Sequence, residues 1–184
     1  MSKTFEKTDI LKDLENSCKS KNDLKIGLEM ERLPISKQTF KNIPYAGEYG
    51  ICNFLRKFAT IDDWQFITDD YNIIGLSKGK NTITLEPGAQ VELSFEPQKS
   101  IKELKQKIDD FNKKAEPILN KYGIQLLEYG VSPLSTYRFI DLIPKHRYHI
   151  MANYLWGILS DVMMRETAGI QICIDFKSEE DAMR

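Results

Sequence analysis

The sequence predicts an α+β domain, and three observations carry that prediction. First, IGLEMERL (residues 26–33), AQVELSF (89–95) and TAGIQICIDF (167–176) alternate apolar and polar residues. A period of two is the pattern of strands with one face against a core. Second, Ile101, Leu104, Ile108, Phe111, Ala115 and Ile118 recur at helical spacing, making the apolar stripe of a long amphipathic helix. Third, short breaks such as SKGKN (77–81) and Pro87-Gly88 divide the apolar segments between them into pieces of strand length.

The elements follow in order. Residues 7–20 read as a short helix with Ile10, Leu11 and Leu14 on one side, and 24–33 as a strand. A second helix is expected over 47–59, where Ile51, Phe54, Leu55 and Phe58 follow the i, i+3, i+4, i+7 pattern. Strands are expected at 64–67, 71–76 and 82–95, the last broken at Pro87-Gly88. The long helix spans 101–122, opened by a Ser100/Glu103 capping box and stopped at Gly123. A strand at 124–131, a loop holding Pro133 and Pro144, a helix over 146–159 and the strand at 167–176 complete the order. Ser178, followed by Glu179, Glu180 and Asp181, reads as a helix opening, because carboxylates suit the positive end of the dipole. A helix opening with no body is the expectation of a chain cut within a larger fold.

Bulk properties exclude several classes. The 184 residues suffice for one domain with a substantial core. With 26 Lys+Arg against 27 Asp+Glu, no net charge points to nucleic acid or an anionic membrane. No apolar run approaches the roughly 18 residues of a membrane span, and the polar N-terminus has no signal-peptide core. Cys18, Cys52 and Cys173 are far apart and form no CxxC pair, which reads as reduced thiols in a cytoplasmic protein.

Alternation also sorts the polar residues. Gly27, Glu29 and Glu31 share a face opposite Ile26, Leu28 and Met30; Gln90, Glu92 and Ser94 share one opposite Val91, Leu93 and Phe95. In the final strand Thr167, Gly169, Gln171, Cys173 and Asp175 oppose the apolar set. If these strands belong to one sheet, ITLEPGAQVELS and GLEMERLP build a single acidic surface. Two unit charges 4 Å apart repel by about 1 kcal/mol in water but about 4 kcal/mol at an effective dielectric near 20. On an open face, then, the acids are solvent decoration. In a partly desolvated hollow they raise one another's pKa values or recruit a cation. An all-oxygen set favours Mg²⁺ or Mn²⁺ over Zn²⁺.

GLEMERLP, ITLEPGAQVELS, PKHRYHIMANY and TAGIQICIDFKSEEDAMR, in this order and spacing, resemble the glutamate–cysteine ligases of the plant and proteobacterial type. The resemblance covers residues 25–184 and implies a fold similar to the glutamine synthetase catalytic domain. That fold is a curved, mostly antiparallel sheet with helices on its outer face, here incomplete at the C-terminus. It implies ATP-dependent ligation of the L-glutamate γ-carboxylate to the L-cysteine amine through a γ-glutamyl phosphate, with glutamate, cysteine and ATP as small-molecule substrates. By position, Glu29, Glu31, Glu86 and Glu92 resemble the family's ligands for Mg²⁺ or Mn²⁺. Arg147 and Gln171 match its catalytic positions, and Arg165 is a further catalytic candidate one step away from one. Gln90, Lys145, Tyr148 and Thr167 match positions that hold co-substrate. One departure stands out: many members carry an arginine directly before the position of Thr167, where this chain has Glu166 with Arg165 one step earlier. Two other readings stand beside the ligase: a relative with another amine acceptor, and a fragment that binds ligands without turnover.

Blander readings go to the remaining candidates. His146 and His149, three apart and without a third ligand, read as surface or packing residues. Cys173 has no histidine partner that would make it a nucleophile. Met163 and Met164 read as core.

Overall fold

The computed structural model describes residues 7–157 and 159–184, so the polar stretch before Lys7 and Ile158 in the expected 146–159 helix lie outside the described residues. The elements are α1 (Lys7–Ser17), β1 (Ile26–Ser36), α2 (Ile51–Ala59), β2 (Gln65–Asp69), β3 (Asn72–Lys78), β4 (Asn81–Leu85) and β5 (Val91–Gln98). They continue with α3 (Ile101–Tyr122), β6 (Ile124–Leu127), a 3-10 turn (Tyr137–Phe139), α4 (His146–Tyr154), α5 (Ser160–Glu166), β7 (Ile170–Ile174) and α6 (Glu179–Ala182). The class is α+β, as expected.

The strands form one sheet in the order β2-β3-β4-β5-β1-β6, with β7 also on β1. Every pairing is antiparallel. One edge of β1 takes β5. Its other edge is divided, with β7 along Ile26–Met30 and β6 along Leu33–Ser36.

The core lies where α2 and α3 cover one face. Leu76, Ile83 and Leu93 form one row across β3, β4 and β5 and pack with Phe54, Leu55 and Phe58 of α2 and Phe111 and Ala115 of α3. Thus the α2 stripe buries as its spacing predicts. The α3 cap also forms: Ser100 Oγ accepts from the Glu103 amide at 3.3 Å, and the Glu103 carboxylate accepts from the Ser100 amide at 3.2 Å. Gly123, at φ 64°, ends the helix, a conformation that costs glycine nothing.

Several expectations need correction: α2 starts at Ile51 instead of 47, and β6 ends at Leu127 instead of 131. β1 runs on to Ser36 instead of stopping at Leu33. Pro34 brings no amide to the ladder, but its carbonyl accepts from the Ile43 amide at 2.9 Å, and Leu33 and Ile35 are buried on the same face as the acids. The 146–159 helix breaks after Tyr154; Leu155 turns extended (φ −77°, ψ 106°), and α5 starts at Ser160. The final strand is shorter than expected, and Ile170, Ile172 and Ile174 face solvent instead of a core. They lie opposite Met30, Leu28 and Ile26, whereas α3 packs across β5 and β6. Finally, α1 forms but leaves Ile10, Leu11 and Leu14 exposed, and of the Met163–Met164 pair only Met164 is buried.

Ser178 caps α6 by accepting from the Asp181 amide at 3.2 Å, the helix opening expected there. Among the described residues no helix is long and apolar enough to cross a membrane.

Candidate active site

The polar side of the sheet assembles in two rows. Gly75, Thr84, Glu92 and Glu31 stand in register across β3, β4, β5 and β1, and Ser77, Thr82, Ser94, Glu29 and Gln171 form the next row, ending on β7. Glu31 is therefore directly opposite Glu92. Directly opposed residues bring their Cβ atoms to about 4.5–5.5 Å, where like charges destabilise a sheet. Two carboxylates facing each other there need an explanation beyond strand chemistry.

Glu86 joins them from just past the end of β4, in the Glu86–Gln90 turn. The Glu86 amide donates to the Gln90 carbonyl at 2.9 Å, and the Ala89 amide donates to the Glu86 carbonyl at 2.8 Å. Ala89, not Gly88, takes the positive φ of 67°. Gly88 is needed for closeness: a Cβ there would lie 2.5 Å from the Arg165 carbonyl oxygen. Gln90 is buried and fully engaged. Its Oε1 accepts from the Gly88 amide at 2.7 Å, and its Nε2 donates to the carbonyls of Met164 and Thr167 at 3.1 and 2.8 Å. It ties the turn carrying Glu86 to the segment entering β7.

That segment holds Glu31 in turn. The Gly169 amide donates to Glu31 Oε2 at 2.8 Å, and the Glu31 amide donates to the Gly169 carbonyl at 2.9 Å. Glu92 accepts from Thr84 Oγ1 at 2.7 Å and more distantly from Ser94 Oγ at 3.4 Å.

Cations stand at the Glu86 end. Tyr148 is fully buried; its hydroxyl lies 3.0 Å from Glu86 Oε1 and 3.1 Å from the Leu85 carbonyl, and accepts from Lys145 Nζ at 3.0 Å. Its single proton goes preferentially to the carboxylate, the stronger acceptor. Lys145 Nζ also sits 4.4 Å from the Tyr148 ring centroid, and the Arg147 guanidinium carbon is 5.6 Å from it.

The electrostatics record the crowding. Burial pushes the Glu31 carboxyl above its ordinary 4.5; the Gly169 amide opposes this, while Glu86, Glu92 and Glu29 push it higher. Burial likewise raises Glu86, with Tyr148 opposing, Glu92 adding, and Lys145 and Arg147 pulling it down. Burial lowers Lys145, against the pull of Glu86. Burial raises Tyr148, and Glu86 raises it further.

The fold therefore brings together Glu29, Glu31, Glu86 and Glu92, with Lys145, Arg147 and Tyr148 beside Glu86 and Gln171 beside Glu29. Three expected site residues are engaged elsewhere. Gln90 braces the turn; Thr167 donates its hydroxyl to the Met163 carbonyl at 2.6 Å. Arg165 donates to the Ile140 carbonyl at 3.1 Å and pairs with Asp161 at 3.0 Å. Thr84, absent from the sequence-derived candidates, also belongs to the site, and the Thr82–Thr84–Glu86 parity of ITLEP carries its signal. Asp69, which accepts from the His146 amide at 2.6 Å and helps hold Lys145 charged, carries no sequence signal. His146 and His149 are exposed, as read. As the side chains stand, no three His, Cys, Asp or Glu among the described residues form a metal-holding cage.

The sequence model of glutamate-cysteine ligase family 2 matches residues 25–184, which takes in all of these side chains. The chain belongs to that family. Glutamate–cysteine ligase B, chloroplastic, of Oryza sativa subsp. japonica is 34% identical to it over 100% of this chain and 37% of its own length. The ligase of Nicotiana tabacum is 34% identical over 97% of this chain and 34% of its own length. That of Arabidopsis thaliana is 32% identical over 96% and 34%. The chain thus spans about a third of the length of these relatives, whose names all place them in the chloroplast.

Proposed function

We propose that this chain carries the acid-lined part of an ATP-dependent ligase joining the γ-carboxylate of L-glutamate to the amine of L-cysteine, the first step of glutathione biosynthesis. The observation that carries the proposal is Glu31 opposite Glu92, with Glu86 and Glu29 close enough to raise the same carboxyl. The fold proposed is the glutamine synthetase type, its concave face the acidic one. An antiparallel sheet with helices on one side and carboxylates on the other supports that reading.

The donor set fits Mg²⁺ or Mn²⁺. Mg²⁺ is commonly bound by one or two carboxylates, waters and substrate phosphates rather than by a protein cage, so it needs no three-ligand cage among the described residues. Glu31 and Glu92, with Glu86 at one end of the pair and Glu29 at the other, are the residues that would hold such ions. When bound, they would neutralise phosphate oxygens and align the group in transfer.

The chain's own residues would then act as follows. Arg147, exposed beside Glu86, offers its fork to a carboxylate of glutamate. Lys145, oriented by Tyr148, faces the phosphates of ATP. A γ-carboxylate oxygen attacks the terminal phosphorus and ADP leaves. The cysteine amine then attacks the acyl carbon, the C–O bond breaks with release of phosphate, and the amine loses a proton. Gln171 lies beside Glu29 at the β7 edge, where it can orient a substrate. Gln90 acts as a positioning residue, not a contact. Three unpaired cysteines fit a reducing compartment such as the cytoplasm.

The test is ADP release by this chain that requires glutamate, cysteine and Mg²⁺ together and disappears in Glu31→Gln. ADP release unaffected by omitting cysteine would move the reading to another amine acceptor. A second reading is a chain that binds these ligands without turnover. Calorimetric binding of Mg-ATP and glutamate with no ADP formed would support it.

A further inference from the structure

On the helix side of the sheet, away from the acids, Arg32 has an incomplete set of partners. It is 3% exposed and sits opposite Val91, so it faces α3 and not Glu31. A guanidinium carries five N–H donors. Nη1 donates to Asn112 Oδ1 at 2.5 Å, and the Phe111 ring centroid lies 5.9 Å from Cζ. Nη2 is 2.7 Å from Glu128 Oε1, yet neither it nor Nε makes an aligned hydrogen bond. Buried donors left unmade are costly. Glu128 is 63% exposed, a partner free to swing outward.

Arg32, Asn112 and Glu128 border a cavity of about 430 Å³, whose charged and amide lining also includes Lys37, Glu116 and Asn120. We propose that this cavity binds a small oxyanion, a carboxylate or a phosphate, taken by Nε and Nη2 of Arg32 with Lys37 at the mouth and Glu128 as the internal group it displaces. The Nε–Nη2 edge is the side of a guanidinium that receives two oxygens in parallel. Lys37, exposed and bonded to Asn120 Oδ1, adds a second positive charge. Glu116 and Glu128 oppose the anion, so the site is held weak by its own carboxylates. The direction of each substitution follows from that balance.

The site lies on the opposite face from Glu31 and Glu92 and makes no use of the ligase reading. It is tested by titrating the intact chain with inorganic phosphate and, separately, with acetate, followed by calorimetry. Saturable binding is expected, strengthened severalfold by Glu128→Gln, weakened by Lys37→Gln and lost in Arg32→Lys. Arg32 is buried and its variant risks unfolding, so the opposite signs of the two exposed substitutions decide. Preference for phosphate or acetate separates a phosphoryl ligand from a carboxylate one, and either supports the site. Lys145 and Arg147 offer anions a second place, so the series is repeated in an Arg147→Gln background, where the binding that tightens with Glu128→Gln and weakens with Lys37→Gln should remain. No saturable binding by parent or Glu128→Gln, no tightening in Glu128→Gln, or loss of binding in Arg147→Gln would overturn the proposal.

Discussion

Strands β5 and β7 lie on opposite edges of β1, and their sequences alternate in the same way. β5 buries Val91 and Leu93 completely, whereas β7 leaves Ile170, Ile172 and Ile174 60%, 62% and 71% exposed. The difference is not in the strands. α3 packs across β5 and β6, and the same face of β7 is left open. Alternation determines which side chains share a face; only an element from elsewhere in the chain turns that face into a core. The polar sides diverge too. Glu92 on β5 faces a second acid and accepts from Thr84, while Gln171 on β7 stands opposite a lone acid, Glu29.

The largest effect that sharpens this contrast is on packing. Leu93→Ala should cost about 2–5 kcal/mol in urea unfolding, the range for truncating a buried leucine. Ile172→Ala should stay near ±0.5 kcal/mol, as for an uncovered surface position. Equal losses at the two sites would mean that the β7 face is covered in solution.

Next come the opposed charges. With a chelator present at neutral pH, Glu31→Gln should stabilise the fold by up to about 1 kcal/mol, by removing a like-charge pair. Gln171→Glu, which sets a new acid opposite Glu29, should destabilise by a similar amount. Urea midpoints for the two variants should move in opposite directions.

The pH dependence follows from the raised carboxyls. In the native state Glu31 and Glu86 hold their protons above the ordinary 4.5. Between 4.5 and those raised values the native state binds more protons than the unfolded chain. Stability therefore falls as pH rises through that window and is recovered towards pH 4.5. Chelator-treated parent protein should gain stability relative to Glu31→Gln on acidification from neutrality, read by thermal melts at stepped pH.

The smallest effect is expected at the end of β7. Asp175 accepts from Lys19 Nζ at 2.7 Å and from the Lys25 amide at 2.9 Å, and Lys19 foremost holds its carboxyl below 3.8. Its contribution is present above 3.8 and fades as pH falls through the depressed value. Asp175→Asn should speed amide exchange at Lys25 with little change in the global midpoint.

Much of this was legible in the sequence. The α2 stripe, the Ser100/Glu103 box and the parity of Glu29, Glu31 and Glu92 are local patterns, and each reappears in three dimensions. What failed depended on distant partners. Gln90 carries the parity of Glu92, yet it belongs to a turn in which Ala89 has positive φ, so its side chain leaves the strand's polar row and braces Met164 and Thr167. Arg165 and Thr167 lie beside the site in sequence, but nearby carbonyls and Asp161 absorb their polar groups. No period in the sequence says which backbone atoms will be within reach. Gly88 looked like a turn glycine, and its need arises from the approach of Arg165, 77 positions away in the numbering.

Electron paramagnetic resonance of Mn²⁺ titrated into the intact chain bears most directly on whether the four glutamates act as one strip. Saturable Mn²⁺ binding is expected, weakened by Glu31→Gln and again by Glu86→Gln, with Glu128→Gln behaving like the parent. Mn²⁺ that fails to bind the parent, or binds Glu31→Gln and Glu86→Gln just as tightly, would contradict the account.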